Sequence, residues 1–205
     1  MAIKAKARNK DDNLRKLNNI LTVLVIGLGL YLVITPFLPQ LLFWLKDSTG
    51  QIDNTIPYSK TNTDDASQPD LPSENRLVVP QMDLDSEVHD GQYASTLRKG
   101  IWHRPQTSTP DKGGNTVMVG HRFTYSSPAI FYHLDKLKAD DELAVIWNEQ
   151  LYTYKVREVK IVNPTEVHIE NNTEESILTL YTCTPMWTAK QRLVVISELI
   201  DGPNI

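Results

Sequence analysis

Among 205 residues there is a single cysteine, Cys183. One thiol excludes an intramolecular disulfide and a cysteine-based zinc site. Neither H-x-x-x-H nor H-E-x-x-H occurs, so the histidines carry no metal-binding spacing, and no metal or other cofactor is expected. The carboxylates Asp83, Asp85, Glu87, Asp140, Asp141 and Glu142 are scattered, as on a solvated surface, and predict no calcium site. No basic patch recurs downstream of the N-terminus, which argues against nucleic acid as a partner. There is no internal repeat, and after residue 45 there is no second long apolar run.

What the chain does have is a charge asymmetry. Residues 1–19 carry Lys4, Lys6, Arg8, Lys10, Arg15 and Lys16 against Asp11 and Asp12, whereas the remainder is acidic, for a net charge of -4. Directly after the basic stretch, residues 20–45 are predominantly apolar. That run reaches the roughly 20 residues a bilayer requires, with Pro36 and Pro39 as kink points and Trp44 as an interfacial anchor. No A-x-A-like cleavage site follows, so the run reads as an uncleaved signal anchor rather than a signal peptide. The positive-inside rule then puts residues 1–19 in the cytoplasm and everything after the span outside the cell membrane.

Residues 46–75 are rich in Asp, Asn, Ser, Thr and Pro, with almost no hydrophobic cluster. They read as a flexible extracellular linker able to hold the next domain on the order of 30 Å from the membrane. Residues 76–205 read as a domain with its own core. Short β-type runs at Arg76–Pro80, Leu84–Val88, Thr116–Gly120, Leu143–Trp147, Leu151–Glu158, Ile161–Pro164, Ile177–Thr182 and Arg192–Leu199 are separated by Gly, Pro, Asn and Asp. Residues 147–151 look like a hairpin turn, and helix is expected only at Ala94–Arg98 and Phe131–Leu137. The pattern is mainly β and predicts a closed or nearly closed antiparallel barrel with few short helices.

Cys183 stands at the end of the run Ile177–Thr182, before a Thr184-Pro185 turn signal, and Arg192 begins the next run. Paired as a hairpin, these runs bring a thiol and a guanidinium to one sheet edge. His121 ends another run behind Gly120; His89, His103, His133 and His168 have no such placement. Taken singly, a cysteine is more often a small core residue, a histidine a structural one, and an arginine a solvated strand start. Trp187, between Cys183 and Arg192, suits either a peptide groove or a cover for the core. Tyr181 shares the Cys183 face by period-two counting.

In order, T-L-x-T-C at Thr179–Cys183, Arg192 nine residues on, and G-N-x-x-x-x-G-H at Gly114–His121 resemble the catalytic segments of the sortase family, membrane-anchored cysteine transpeptidases of mainly Gram-positive bacteria. Arg76–Pro80, Leu97–His103 and Phe131–Val145 resemble further segments, so the likeness runs over Arg76–Ile200. It implies a sortase-type barrel with His121, Cys183 and Arg192 as catalytic residues. The substrate implied is an L-P-x-T-G-like C-terminal sorting signal of secreted surface proteins. The acyl group would pass through a Cys183 thioester to an amine of a peptidoglycan precursor or a pilin. Thiols of reference pKa ~8.5 are mostly protonated near neutrality, and Arg, with a pKa above about 12, cannot serve as base. His121 is left to move protons, and Arg192 to donate to the oxyanion, with the Thr184 backbone N–H as a candidate second donor. The resemblance also implies a thiolate–imidazolium active form.

Tyr181 and Pro185 around the nucleophile suggest the class D and E style of motif. The absence of a Asp-Pro-aromatic lid triplet and of a second apolar segment favours an anchoring role over pilin polymerisation. An L,D-transpeptidase would carry its cysteine in an S-H-G-C-like context, which is not found here. The non-enzymatic alternative is a tethered barrel that only binds cell-wall or pilus peptides. That alternative gives no reason for a thiol, an imidazole and a guanidinium together.

Overall fold

The computed structural model describes residues 2–50, 55–58, 71–124 and 129–203. Contacts divide the chain into residues 1–51 and residues 52–205. The first part is helical. Helix α1 spans Ala2–Ile34, a 3-10 turn spans Thr35–Phe37, and α2 spans Leu38–Ser48. Proline at position 36 lacks the backbone N–H that would continue the α1 ladder, and the chain passes through the 3-10 turn with Ile34 and Leu38 both in the right-handed helical region. The most apolar stretch, Leu14–Ile34, has 21 residues. At about 1.5 Å per residue it matches the roughly 30 Å of a bilayer core. Its Leu, Val and Ile side chains are exposed all round, from Leu21 to Leu32. Water is a poor solvent for such a surface, and a helix apolar on every side suits lipid. The Thr22 and Thr35 hydroxyls donate to the carbonyls of Asn18 and Tyr31, one helical turn back, so neither is left unpaired in an apolar setting.

The second part is a closed barrel of eight strands: β1 Arg76–Val79, β2 Leu84–Asp90, β3 Ile101–His103, β4 Asn115–Val119, β5 Glu142–Trp147, β6 Gln150–Val162, β7 Ile177–Thr184 and β8 Gln191–Asp201. Their order around the barrel is β1-β2-β3-β4-β7-β8-β6-β5. Closure is as the strand pattern predicts, but the pairing is mixed rather than wholly antiparallel. β2 with β3 and β4 with β7 run parallel. The long crossover between β4 and β7, which contains β5 and β6, returns β7 in the β4 direction.

Alternation along each strand separates an inner from an outer face. Inward residues, among them Leu77, Met118, Val145, Tyr152, Leu178, Leu180, Leu193 and Val195, form the principal core together with Phe131, Leu134 and Leu137. Each such side chain contributes about 1.5–3 kcal/mol by leaving water. A smaller cluster on the outer face joins Val162, Ile177, Val194 and Ile196 with Ile169 and Tyr181.

Several elements differ from the sequence reading. The two runs at 151–158 and 161–164 are one strand, β6, whose register against β8 shifts near Thr153 and Val156. β3 has only three residues, too few for a periodic signal. Ala94–Arg98 is a 3-10 helix, and within 131–137 only Leu134–Lys136 is helical, again as a 3-10 turn. The 147–151 turn is as expected. Trp147 pairs with Gln150, and Asn148 and Glu149 take the positive φ values of a two-residue hairpin turn. Much of the expected linker lies outside the described residues. Of the rest, Ile56 is buried against Val78 and Ala144, and the Tyr58 hydroxyl donates to Asp85 at 3.0 Å.

Candidate active site

β7 and β8 pair antiparallel with Cys183 opposite Arg192. Both lie on the outer face, in step with Ile177, Tyr181, Val194 and Ile196 rather than with the inward Leu178, Leu180 and Val195. Period-two counting alone left the direction of the Tyr181–Cys183 face open, and burial decides it. Cys183 is a free thiol, half-buried.

His121 comes to the same rim through the parallel pairing of β4 with β7. That register sets Val117 against Thr179 and Val119 against Tyr181. It continues beyond the last paired residue, for Gly120 N–H donates to the Tyr181 carbonyl at 3.4 Å and Thr182 Oγ1 donates to the Gly120 carbonyl at 2.7 Å. One further step places His121 opposite Cys183, again in outward phase. The C-terminal ends of β4 and β7 and the start of β8 thus meet at one edge.

The sequence builds this edge with local devices. At Gly120 an added Cβ would lie 2.9 Å from two ring carbons of Phe131, so only glycine lets the chain pass over that ring. The next carbonyl, that of His121, accepts the Phe131 N–H at 3.0 Å. Gly114 takes φ +79° and would place a Cβ against the Asn172 side chain. Asn115, buried, donates through Nδ2 to the carbonyls of Ile169 and Asn171, both at 2.9 Å, and accepts from Thr179 Oγ1 at 2.8 Å. The glycines and asparagine of the G-N-x-x-x-x-G-H segment thereby fasten the 163–176 loop over the outer face of β4 and β7.

Glu170 in that loop holds a second junction. Arg104 donates to both of its carboxylate oxygens at 2.9 Å, and Tyr181 Oη donates to one of them. The Arg104 guanidinium also lies 4.5 Å from the centroid of Trp102. Burial and the carboxylate together push the Tyr181 phenol far above its usual range, so it remains a neutral donor.

Burial lowers the His121 pKa below the usual imidazole value. Arg192 directs Nη1 to the carbonyls of Ala189 and Gln191, at 3.1 and 2.9 Å. Its other N–H groups have no partner among the described residues. Trp187 does not cover the core. It is 60% exposed, and its ring stands 4.8 Å from that of Phe123, which follows His121 by two positions. His103 is buried in a different place, between Asp90 and the Ser108 carbonyl, and contributes nothing to this edge. Among the described residues, no group of three His, Cys, Asp or Glu side chains is placed to hold a metal ion. Chemically, the edge offers a nucleophilic thiol, an imidazole able to move a proton, and a permanent cation.

Sequence reasoning missed Arg104, Glu170 and Arg122. Arg122 donates through Nη1 to Thr184 Oγ1 at 2.9 Å and pairs through Nη2 with Asp135 at 2.7 Å. No short motif announces a partner so far along the chain.

Comparison with known proteins adds an independent line. The sortase domain profile matches residues 77–200. Sortase D of Bacillus subtilis (strain 168) is 30% identical over 168 residues, covering 79% of this chain and 77% of that protein. Sortase A of Listeria monocytogenes is 25% identical over 205 residues, with coverage of 89% and 91%. Among solved structures, sortase C-1 from Actinomyces oris aligns with a TM-score of 0.58 at 28% identity, over 64% of this chain and 76% of that one.

Proposed function

The chain belongs to the sortase family of cysteine transpeptidases, and on that premise we propose that it cleaves L-P-x-T-G-like sorting signals of secreted proteins at Cys183. The Cys183 thiolate adds to the carbonyl carbon of the scissile peptide bond, and the C=O electron pair moves onto oxygen. Arg192 donates N–H to that oxyanion. His121, as imidazolium, gives its proton to the departing amine as the C–N bond breaks, leaving a thioester on Cys183. An incoming amine adds to the thioester and loses its proton to His121. Collapse breaks the C–S bond and returns the thiolate. The acceptor is the amine of a peptidoglycan precursor or of a pilin subunit, and water in its place gives hydrolysis.

The observation that carries this reading is the cross-strand pairing of Cys183 with Arg192, with the β4–β7 register leading His121 to the same rim. Burial of His121 favours the neutral imidazole near pH 7. The imidazolium that protonates the leaving amine is then the less favoured form of His121 near neutral pH. The N-terminal apolar helix, preceded by the basic residues, supports a membrane tether with the N-terminus cytoplasmic and the barrel outside.

Intact-mass analysis of the full chain in detergent tests the proposal. The chain is mixed with a panel of L-P-x-T-G-like peptides and triglycine, beside a Cys183→Ala control. A peptide acyl adduct on the wild type alone, discharged by triglycine, is the expected result. Saturable binding of the same peptides by both proteins with no adduct would replace transpeptidation by a binding role.

A further inference from the structure

The residues on either side of His121 are bonded to those on either side of Cys183. On one side Thr182 Oγ1 donates to the Gly120 carbonyl at 2.7 Å. On the other, Arg122 Nη1 donates to Thr184 Oγ1 at 2.9 Å. Strand alternation turns His121 and Cys183 outward, while Thr182 and Thr184 point inward and are buried. The two outward groups are therefore set by a pair of inward pins.

The second pin is the more unusual. Arg122 is only 11% exposed at its side chain, and the other arm of its fork meets Asp135 at 2.7 Å. Asp135 lies in the 3-10 turn Leu134–Lys136, close after Phe131, whose N–H holds the His121 carbonyl. One planar guanidinium thus ties the end of β7 to the segment that supports the histidine. A guanidinium fork fixes the angle between its two acceptors, which the single rotating ammonium of lysine does not. Holding a cation out of water is costly, and a spacer alone could be apolar.

We propose that Arg122 is a positioning residue: through Thr184 and Asp135 it fixes the placement of His121 relative to Cys183, without touching substrate or reacting atoms. The inference rests on the reading of His121 and Cys183 as the catalytic pair.

The test measures the rate of Cys183 alkylation by iodoacetamide against pH, using the full chain in detergent. Thr184→Val keeps the side-chain volume and the Arg122–Asp135 pair while removing the pin, and Arg122→Lys keeps the charge. His121→Ala reports the profile without an imidazole. Arg157→Gln, which breaks an exposed ion pair with Glu175 elsewhere on the barrel, is the control. The expected result is that Thr184→Val and Arg122→Lys move the profile from the wild-type curve toward that of His121→Ala, while Arg157→Gln does not. With any peptide that acylates the wild type, kcat falls about 10- to 100-fold at nearly constant KM, the scale of a small misplacement of reacting groups. Should Arg122→Lys fail to fold, Thr184→Val decides alone. The inference is overturned if the Thr184→Val profile coincides with wild type while that of His121→Ala differs. If His121→Ala also coincides with wild type, the catalytic pairing itself fails and takes the inference with it.

Discussion

His121 is buried enough to lower its pKa, and His133, behind it in the supporting segment, is shifted the same way by desolvation. Both shifts make protonation harder in the folded state than in the unfolded chain. Below the unfolded value of about 6.5, the unfolded chain takes up protons first, so stability falls as pH drops from there through the lowered folded values. Urea unfolding at a series of pH values should show this acid loss, and His121→Gln should make it shallower. An identical slope in the variant would mean that His121 titrates as in the open chain. The same shift bears on the rate. The acidic limb of kcat/KM should lie below about 6.5, and His121→Ala should lower kcat about 100- to 10,000-fold. Cys183, His121 and Arg192 were legible in the sequence because each sits in a short run whose neighbours are also constrained. Gly120 clears Phe131, and Thr182 reaches the Gly120 carbonyl. Arg122 was not legible, because its meaning lies in Thr184 and Asp135, which only folding brings near.

Elements place these groups by backbone pairing, and the pairing depends on a few polar anchors. Asn115 is the chief of them. Replacing it by Ala strips partners from the Ile169 and Asn171 carbonyls and from the buried Thr179 hydroxyl. The expected cost is on the order of 3 kcal/mol in urea unfolding, with cleavage by added protease appearing first within residues 163–176. A uniform loss of protection across the barrel would instead assign Asn115 to global stability. Gly120→Ala should cost about 1–3 kcal/mol by overpacking against Phe131, and it should lower kcat because that ring's residue holds the His121 carbonyl. At this scale most strands were readable from short β-branched runs between turn residues. Ile101–His103 was too short to show a period. β6 was split in two at Val159–Lys160, where the exposed stretch from Arg157 to Val159 interrupts the alternation.

At the scale of the whole molecule, an apolar helix and a barrel with a buried core are joined in one chain. The helical part exposes an apolar surface that water does not suit, whereas the barrel turns its apolar residues inward or under the 163–176 loop. The full chain should float with phospholipid vesicles on a density gradient, and residues 52–205 alone should remain in the soluble fraction. Flotation of the shorter chain would move the lipid contact to the barrel. Composition and order determined that an N-terminal apolar helix precedes a β-barrel, because hydropathy and β-pattern are local and survive in a one-dimensional string. They also determined the three candidate groups, since each motif is short. The direction of pairing was left to the tertiary structure. Were β7 antiparallel to β4, His121 and Cys183 would stand at opposite ends of their strands, about 15 Å or more apart at ~3.3 Å per residue. The long crossover brings β7 back parallel, and strand ends far apart in sequence become one edge. Sequence alone does not reveal that direction, because side-chain alternation is the same whichever way a strand runs.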